Sequence, residues 1–171
     1  MDQRDELKRD TEAIAYIVGD KTVHAEDSKE IILDYYKRTE PLYRKLHSRE
    51  GAYHLPIKTS PDETHKEKLL YQAKTIEKAI EEHGYTNILE LGCGKGFNTI
   101  HLAKNHPDKK FTGIDLTPGN LEFAKKESLR LENANFLQMD FDQLEIPSDE
   151  YDLVFAVETL CYSQNLVQLL E

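Results

Sequence analysis

The sequence predicts a doubly wound, parallel α/β sheet preceded by a helical extension, and three observations carry that prediction. Short apolar runs alternate with helical patterns from about residue 60 onward, an order that calls for parallel strands joined by right-handed crossovers. A glycine-rich turn, Gly92-Cys93-Gly94-Lys95-Gly96, stands directly between one such run and the next helix. Carboxylates (Glu90, Asp115, Asp140) recur at the ends of successive runs, where open α/β sheets bind their ligands.

Residues 1 to about 60 read as helices and loops rich in Tyr, His and charge, a unit distinct from residues 61–171. Asp27-x-x-Glu30 fits a capping box, and Ile31, Ile32, Tyr35 and Tyr36 follow at helical spacing. Pro41 is expected to interrupt that helix, with Leu42, Tyr43 and Leu46 on a second turn or helix. Gly51 to Thr59 reads as loop. Ser60-Pro61-Asp62-Glu63 combines an N-cap, a first-turn proline and a glutamate three residues after the cap, and so predicts a helix start. Leu69, Leu70, Ala73, Ile76 and Ile80 make its apolar stripe, and Gly84 its stop.

Strands are expected at Asn87–Leu91, Phe111–Leu116, Asn135–Met139 and Tyr151–Val157, all buried on both faces. Helices are expected from Phe97 to Lys104 and from Thr117-Pro118 to about Leu131. The sequence reaches Glu171 just inside the helix after the fourth strand. It therefore predicts the N-terminal half of a larger sheet, C-terminally incomplete, with a raw strand edge through which a homodimer could pair.

Composition narrows the partners. With 22 basic and 32 acidic residues the chain carries a net charge of −10, which disfavours a nucleic-acid partner because a negative surface repels phosphates. Two cysteines are too few for a disulfide framework, and the charged N-terminus lacks a signal-peptide pattern. Both point to a reducing, cytoplasmic setting. No apolar stretch approaches the ~20 residues of a membrane span. The seven histidines show no metal-ligand spacing, His101 and His106 being five apart. No metal is expected.

The glycine turn permits a sharp reversal and close approach of a ligand to the main chain, while the next helix offers unpaired N–H groups. Asp115 follows Gly96 by nineteen residues, the separation at which an acidic side chain reaches ribose hydroxyls; otherwise it caps the helix begun by Pro118. Asp140, beside Phe141, can accept from an adenine amino group or stand as a solvated loop residue. Cys93, between two glycines, reads as a packing residue more than a reactive thiol. Tyr35, Tyr36 and Tyr43 read as half-buried helix residues, with an acceptor pocket as the sharper reading.

Taken in order, the acidic residue before Gly-x-Gly-x-Gly, Phe111-Thr112-Gly113-Ile114-Asp115-Leu116-Thr117-Pro118, Asp140-Phe141 and Tyr151-Asp152-Leu153-Val154-Phe155 resemble the signature of the class I S-adenosylmethionine-dependent methyltransferases. The resemblance covers roughly residues 60 to 171 and implies a Rossmann-like sheet with S-adenosylmethionine as cofactor. It further implies Glu90 near the methionine amino group and Gly92, Cys93, Gly94 and Gly96 along the cofactor. Asp115 would bind the ribose, Leu116 would pack near the adenine, and Asp140 with Phe141 would read it. The run Ala156-Val157-Glu158-Thr159-Leu160-Cys161-Tyr162 is similar to the sterol, tocopherol and small-molecule N-methyltransferase group, with Tyr162 where that group usually has His. It implies Glu158 and Tyr162 as catalytic candidates and a small-molecule acceptor. Two alternatives stay open at this stage: an NAD-dependent oxidoreductase, against which the third fingerprint glycine would fall at Phe97, and a non-catalytic methyltransferase-like binding module.

Overall fold

The computed structural model describes residues 25–144, 146–147 and 149–170. Four parallel strands, β1 (Asn87–Leu91), β2 (Lys110–Asp115), β3 (Ala134–Gln138) and β4 (Leu153–Ala156), form one sheet in the order β3-β2-β1-β4. Ile88 lies between Phe111 of β2 and Leu153 of β4. The chain moves outward from β1 in one direction through β2 and β3, then returns to its other side for β4. That reversal opens a crevice at the carboxyl end of β1.

The helices are α1 (Ala25–Leu46), α2 (His65–Leu69), α3 (Tyr71–His83), α4 (Phe97–Asn105), α5 (Pro118–Glu127) and α6 (Leu166–Leu170). One sheet face is closed by α3, α4 and α5. Ile80, Leu102 and Ala103 pack there against Ile88, Phe111 and Phe155, and Ile100, Leu121 and Ala124 against Phe136. Each large apolar side chain so buried contributes on the order of 1.5–3 kcal/mol. On the opposite face Leu89, Leu91 and Ile114 meet Met139, Phe141, Ile146, Tyr151, Leu160 and Leu169, which come from connecting segments and the short α6. The central strands β1 and β2 are thus buried on both faces, as expected. The outer strands are not, and Leu137 and Val154 stand 37% and 50% exposed.

Several local expectations change. α1 already runs at Ala25, so Asp27 lies inside the helix, and its side chain is outside the described residues. Pro41 does not interrupt α1, which continues to Leu46. The missing N–H costs about 3 kcal/mol, offset here by α1 side chains on both sides of Pro41 that dock on the body of the chain: Tyr36 and Tyr43 against Tyr53, Glu40 against Lys95. The second helix opens at His65, not after Ser60. Glu63 instead accepts the N–H groups of Thr59 and Ser60 (2.8 and 3.0 Å) and closes a turn. The capping box belongs to Thr64 and Glu67, each of which binds the other's backbone N–H. The apolar stripe is split at Leu70, where α2 gives way to α3. Gly84 ends α3 in the left-handed region (φ 71°), its N–H donating to Ile80 O. α5 ends at Glu127, short of Leu131.

Candidate cofactor and acceptor site

The carboxyl ends of β1, β2, β3 and β4 open into one cleft, and α1 lies across it. The sharpest turn is at the end of β1, where Gly92 has φ 62° and a Cβ would lie 2.0 Å from Thr159 Oγ1. No other residue fits there without displacing the segment after β4. Gly96, φ 76°, faces away from the cleft; a Cβ on it would meet the Phe136 ring at 2.7 Å. It was expected along the cofactor, but its place is helix-to-sheet packing, the role of a third glycine in such turns. Cys93 is buried, its N–H donates to Ile114 O (2.8 Å), and its sulfur fills the space over Gly113. Burial pushes its thiol pKa well above the usual range, so it packs and does not react.

Glu90 is the buried anchor of the cleft. Asn98 Nδ2 donates to its Oε1 at 2.9 Å, while Thr99 donates both its N–H (3.0 Å) and its hydroxyl to Oε2. All three donors sit in the first turn of α4, whose unpaired N–H groups favour an anion. Burial nevertheless outweighs them and pushes the Glu90 pKa up to about 7, with Asp115 adding repulsion.

Asp115 holds the loops together. Its Oδ2 accepts the Gly94 N–H (2.9 Å), and its Oδ1 accepts from the Thr117 N–H (2.8 Å) and from Asn120 Nδ2 (3.3 Å). Asp115 thus fixes the residue that precedes α5 without capping the helix's own first-turn N–H groups, and it ties β2 to the glycine turn. Leu116 follows it on the cleft wall. Asp140 and Phe141 line the far end. Asp140 Oδ1 accepts the Asp142 N–H (3.0 Å), and Oδ2 forms an ion pair with Lys29 of α1.

These positions decide what the chain resembles. A family model described as a methyltransferase domain matches residues 88–171. The malonyl-[acyl-carrier protein] O-methyltransferase of Acetivibrio thermocellus is 34% identical over 87 residues, 51% of this chain and 30% of that protein. Residues 88–171 thus carry the domain of the class I S-adenosylmethionine-dependent methyltransferases. Their cofactor is S-adenosylmethionine, which sets aside the NAD alternative. Trans-aconitate 2-methyltransferase of Deinococcus radiodurans shares 30% identity over 113 residues, 65% of this chain and 42% of that protein. A tRNA (guanine-N(7)-)-methyltransferase of Porphyromonas gingivalis shares 42% over 60 residues, 34% and 25%. The chain spans less than half the length of these curated relatives. Among solved structures the [4+2]-cyclase SpnF matches with a TM-score of 0.71 at 18% identity, over 83% of this chain and 53% of that one; that likeness concerns the fold. The finer resemblance of Ala156–Tyr162 to the sterol, tocopherol and N-methyltransferase group is not singled out by these matches.

The methyltransferase fold explains the remaining walls. Glu158, just after β4, is the non-glycine residue with positive φ among the described residues (51°), a conformation that costs of order 1–3 kcal/mol and gathers at functional sites. It lines the cleft, and its carboxylate accepts the Leu55 N–H at 3.1 Å on both oxygens and Gln72 Nε2 at 3.3 Å. Tyr162 lines the cleft as well and meets the Tyr36 hydroxyl at 3.2 Å. Tyr36 packs edge-on against Tyr53, and Tyr53 against Tyr43. Burial pushes Tyr36 and Tyr53 well above the usual phenol range, so these two hydroxyls stay neutral.

The residues present fit S-adenosylmethionine. Asn98 lines the cleft beside Glu90, and its buried Oδ1 has no partner. With Glu90 it forms an acceptor pair suited to an amino group, since a buried unmatched acceptor is otherwise costly. Sequence reasoning missed Asn98, Thr99, Asn120 and Tyr53. Thr99 alone had a visible signal, a hydroxyl three residues past the last glycine in a helix's first turn.

Proposed function

We propose that this chain binds S-adenosylmethionine in the cleft and directs its methyl group to a small-molecule acceptor held between α1 and the end of β4. The single observation behind this reading is convergence: the glycine turn, Asp115, Asp140 and Glu158 come from four strand ends and line one cleft under α1. Glu90 and Asn98 would hold the methionine amino group, and Gly92 to Gly94 would pass beneath the cofactor. Asp115 would take the ribose, and Leu116, Asp140 and Phe141 the adenine. When bound, the cofactor supplies a methyl on a sulfonium, and this chemistry asks mainly for alignment and dryness. Residues 1–60 serve as the lid and acceptor-side unit, with Tyr36 and Tyr43 on its inner face. Glu158 would take a proton from the acceptor, and Tyr162, through Tyr36, would fix the acceptor's approach.

The negative cleft supports a small organic acceptor over a phosphate-rich one, although a tRNA methyltransferase is among the relatives. Among the described residues no helix is long and apolar enough to cross a membrane. Both cysteines are free, which supports the cytoplasmic reading.

The test is thermal. We expect S-adenosylhomocysteine to raise the Tm by several degrees and NAD to leave it unchanged. Asp115→Asn should lose most of the S-adenosylhomocysteine affinity in calorimetry, because one oxygen cannot serve Gly94, Thr117 and a ribose together. Equal shifts from both ligands would sink the assignment. Binding without release of methyl to any acceptor would return the chain to a non-catalytic module.

A further inference from the structure

Tyr53 belongs to the segment after α1 and ties that unit to the other side of the cleft. Its ring packs edge-on against Tyr36 and Tyr43 of α1, with centroids 5.1 and 5.2 Å away. The same ring meets the glycine turn so closely that a Cβ on Gly94 would lie 3.0 Å from Tyr53 Cδ2. The Tyr53 hydroxyl donates to Asn120 Oδ1 at 3.0 Å, and Asn120 Nδ2 donates in turn to Asp115 Oδ1 at 3.3 Å. Tyr53, Gly94, Asp115 and Asn120 all line the cleft.

Chemistry fixes the direction of this chain of bonds. An ionised carboxylate only accepts, so Asn120 must turn its Nδ2 to Asp115 and its carbonyl to Tyr53, and the phenol must donate. Burial, with Glu40 and Asp115 nearby, holds the Tyr53 pKa well above the usual phenol range, so that proton stays in place. The two links are unequal. At 3.3 Å the amide barely reaches the carboxylate, and the 3.0 Å bond from the hydroxyl is the firmer hold on Asn120. Asn120 is only 4% exposed, so water has little access to replace that hydroxyl. The other donors to Asp115 are the backbone N–H groups of Gly94 and Thr117, set by the course of the main chain. The third, Asn120, is a side chain that can swing. A carboxylate offers about four acceptor sites, and these donors occupy all but about one of them.

We infer that Tyr53 is a positioning residue for the cofactor: through Asn120 it fixes the direction of the acceptor site that Asp115 keeps for the ribose hydroxyls. This rests on the reading of Asp115 as the ribose ligand. It gives the unit that carries the acceptor-side tyrosines a share in selecting the cofactor's sugar, because Tyr53 is seated on Tyr36 and Tyr43 at one end of the relay and acts on Asp115 at the other.

The test compares two probes on the full chain by calorimetry, S-adenosylhomocysteine and its 2′,3′-dideoxyribose analogue. Tyr53→Phe keeps the ring against Gly94, Tyr36 and Tyr43, so the variant should fold. It should bind S-adenosylhomocysteine about tenfold more weakly and the dideoxy analogue within about twofold of wild type. Asn120→Ala should cause a similar loss, and Tyr53→Phe added to it should cost nothing further, since both act on one relay. In the ligand-free chain, Tyr53→Phe should shift the NMR signals of the Asn120 side-chain amide and of the Gly94 and Thr117 backbone amides. Equal weakening of both probes would make Tyr53 a packing residue only and overturn the inference, as would additive losses in the double variant or unmoved amide signals. If wild type fails to bind S-adenosylhomocysteine, or binds both probes equally, the reading of Asp115 as the ribose ligand falls instead. The amide signals of the free chain then still decide whether Tyr53 acts on Asp115.

Discussion

A carboxyl group sealed beneath a glycine turn has two ways to become comfortable: gather donors or keep its proton. Glu90 does both, with Thr99 and Asn98 donating to it and burial holding its pKa near 7. Because the ordinary value is 4.5, the folded chain holds a proton that the unfolded chain releases between those two pH values. The stability this adds is full below about pH 4.5 and lost as pH rises through about 7, a swing of about 3 kcal/mol. His54 and His101, lowered by burial, act in the opposite sense below pH 6.5. We therefore expect the difference in Tm between wild type and Glu90→Gln to change steadily from pH 4.5 to 7, the variant gaining relative to wild type. A parallel pair of pH profiles would contradict the burial of an ionisable group there. Asn98 can turn its unpaired Oδ1 toward the new amide, so the variant should fold. Glu90 and Asp115 were legible in the sequence because glycine spacing fixes where strand ends fall. Asn98 and Asn120 were not, since polar residues in the first turn of a helix carry no spacing that separates a partner from a solvated face; Thr99 offered only its hydroxyl three residues past the last glycine.

α1 shows how tertiary contacts overrule local rules. A proline at its centre argues for a break, yet the helix persists because Glu40, one residue before it, reaches Lys95 in the glycine turn. Lys95 is 5% exposed and Glu40 32%, so the lysine depends on its partner far more than the reverse. Removing the carboxylate leaves an ammonium buried against Tyr53 and Phe123. We expect Glu40→Gln to cost about 2 kcal/mol, less than a fully buried pair because Glu40 still sees water. Hydrogen exchange should locate the effect in α1 while β1 and β2 stay protected. Adding Lys95→Met should restore most of the loss, since an apolar side chain suits that pocket better than an unpaired charge. If the double variant is weaker than Glu40→Gln, the pair is not what docks α1. Strand positions were readable to within about a residue or two, as buried parallel strands write themselves as apolar runs. The start of α2 was misplaced because Ser60-Pro61-Asp62-Glu63 and Thr64-His65-Lys66-Glu67 both fit a capping pattern. The choice between them depended on Glu63 finding Thr59, a contact no local pattern encodes.

At the scale of the molecule the two sheet faces are unequal. Three helices close one, while the other relies on connecting segments and α6, leaving Leu144, Val154 and Leu170 between 38% and 50% exposed. β4 stands at one end of the strand order, and among the described residues nothing pairs with its outer side. An edge strand beside an apolar surface is a template for a second copy. Two β4 strands set antiparallel across a two-fold axis would present the same patch to each other. The opposing force is charge: a chain at −10 repels its copy, but over a screening length of only about 10 Å at 0.1 M salt. Self-association through this edge should therefore grow with both protein concentration and salt, the reverse of an interface held by ion pairs. Sedimentation equilibrium across that grid measures it directly. Val154→Lys, at the 50% exposed position of β4, should remain monomeric throughout and lose no thermal stability. A wild type that stays monomeric at every concentration and salt, or associates only at low salt, would rule the edge out as a contact between copies.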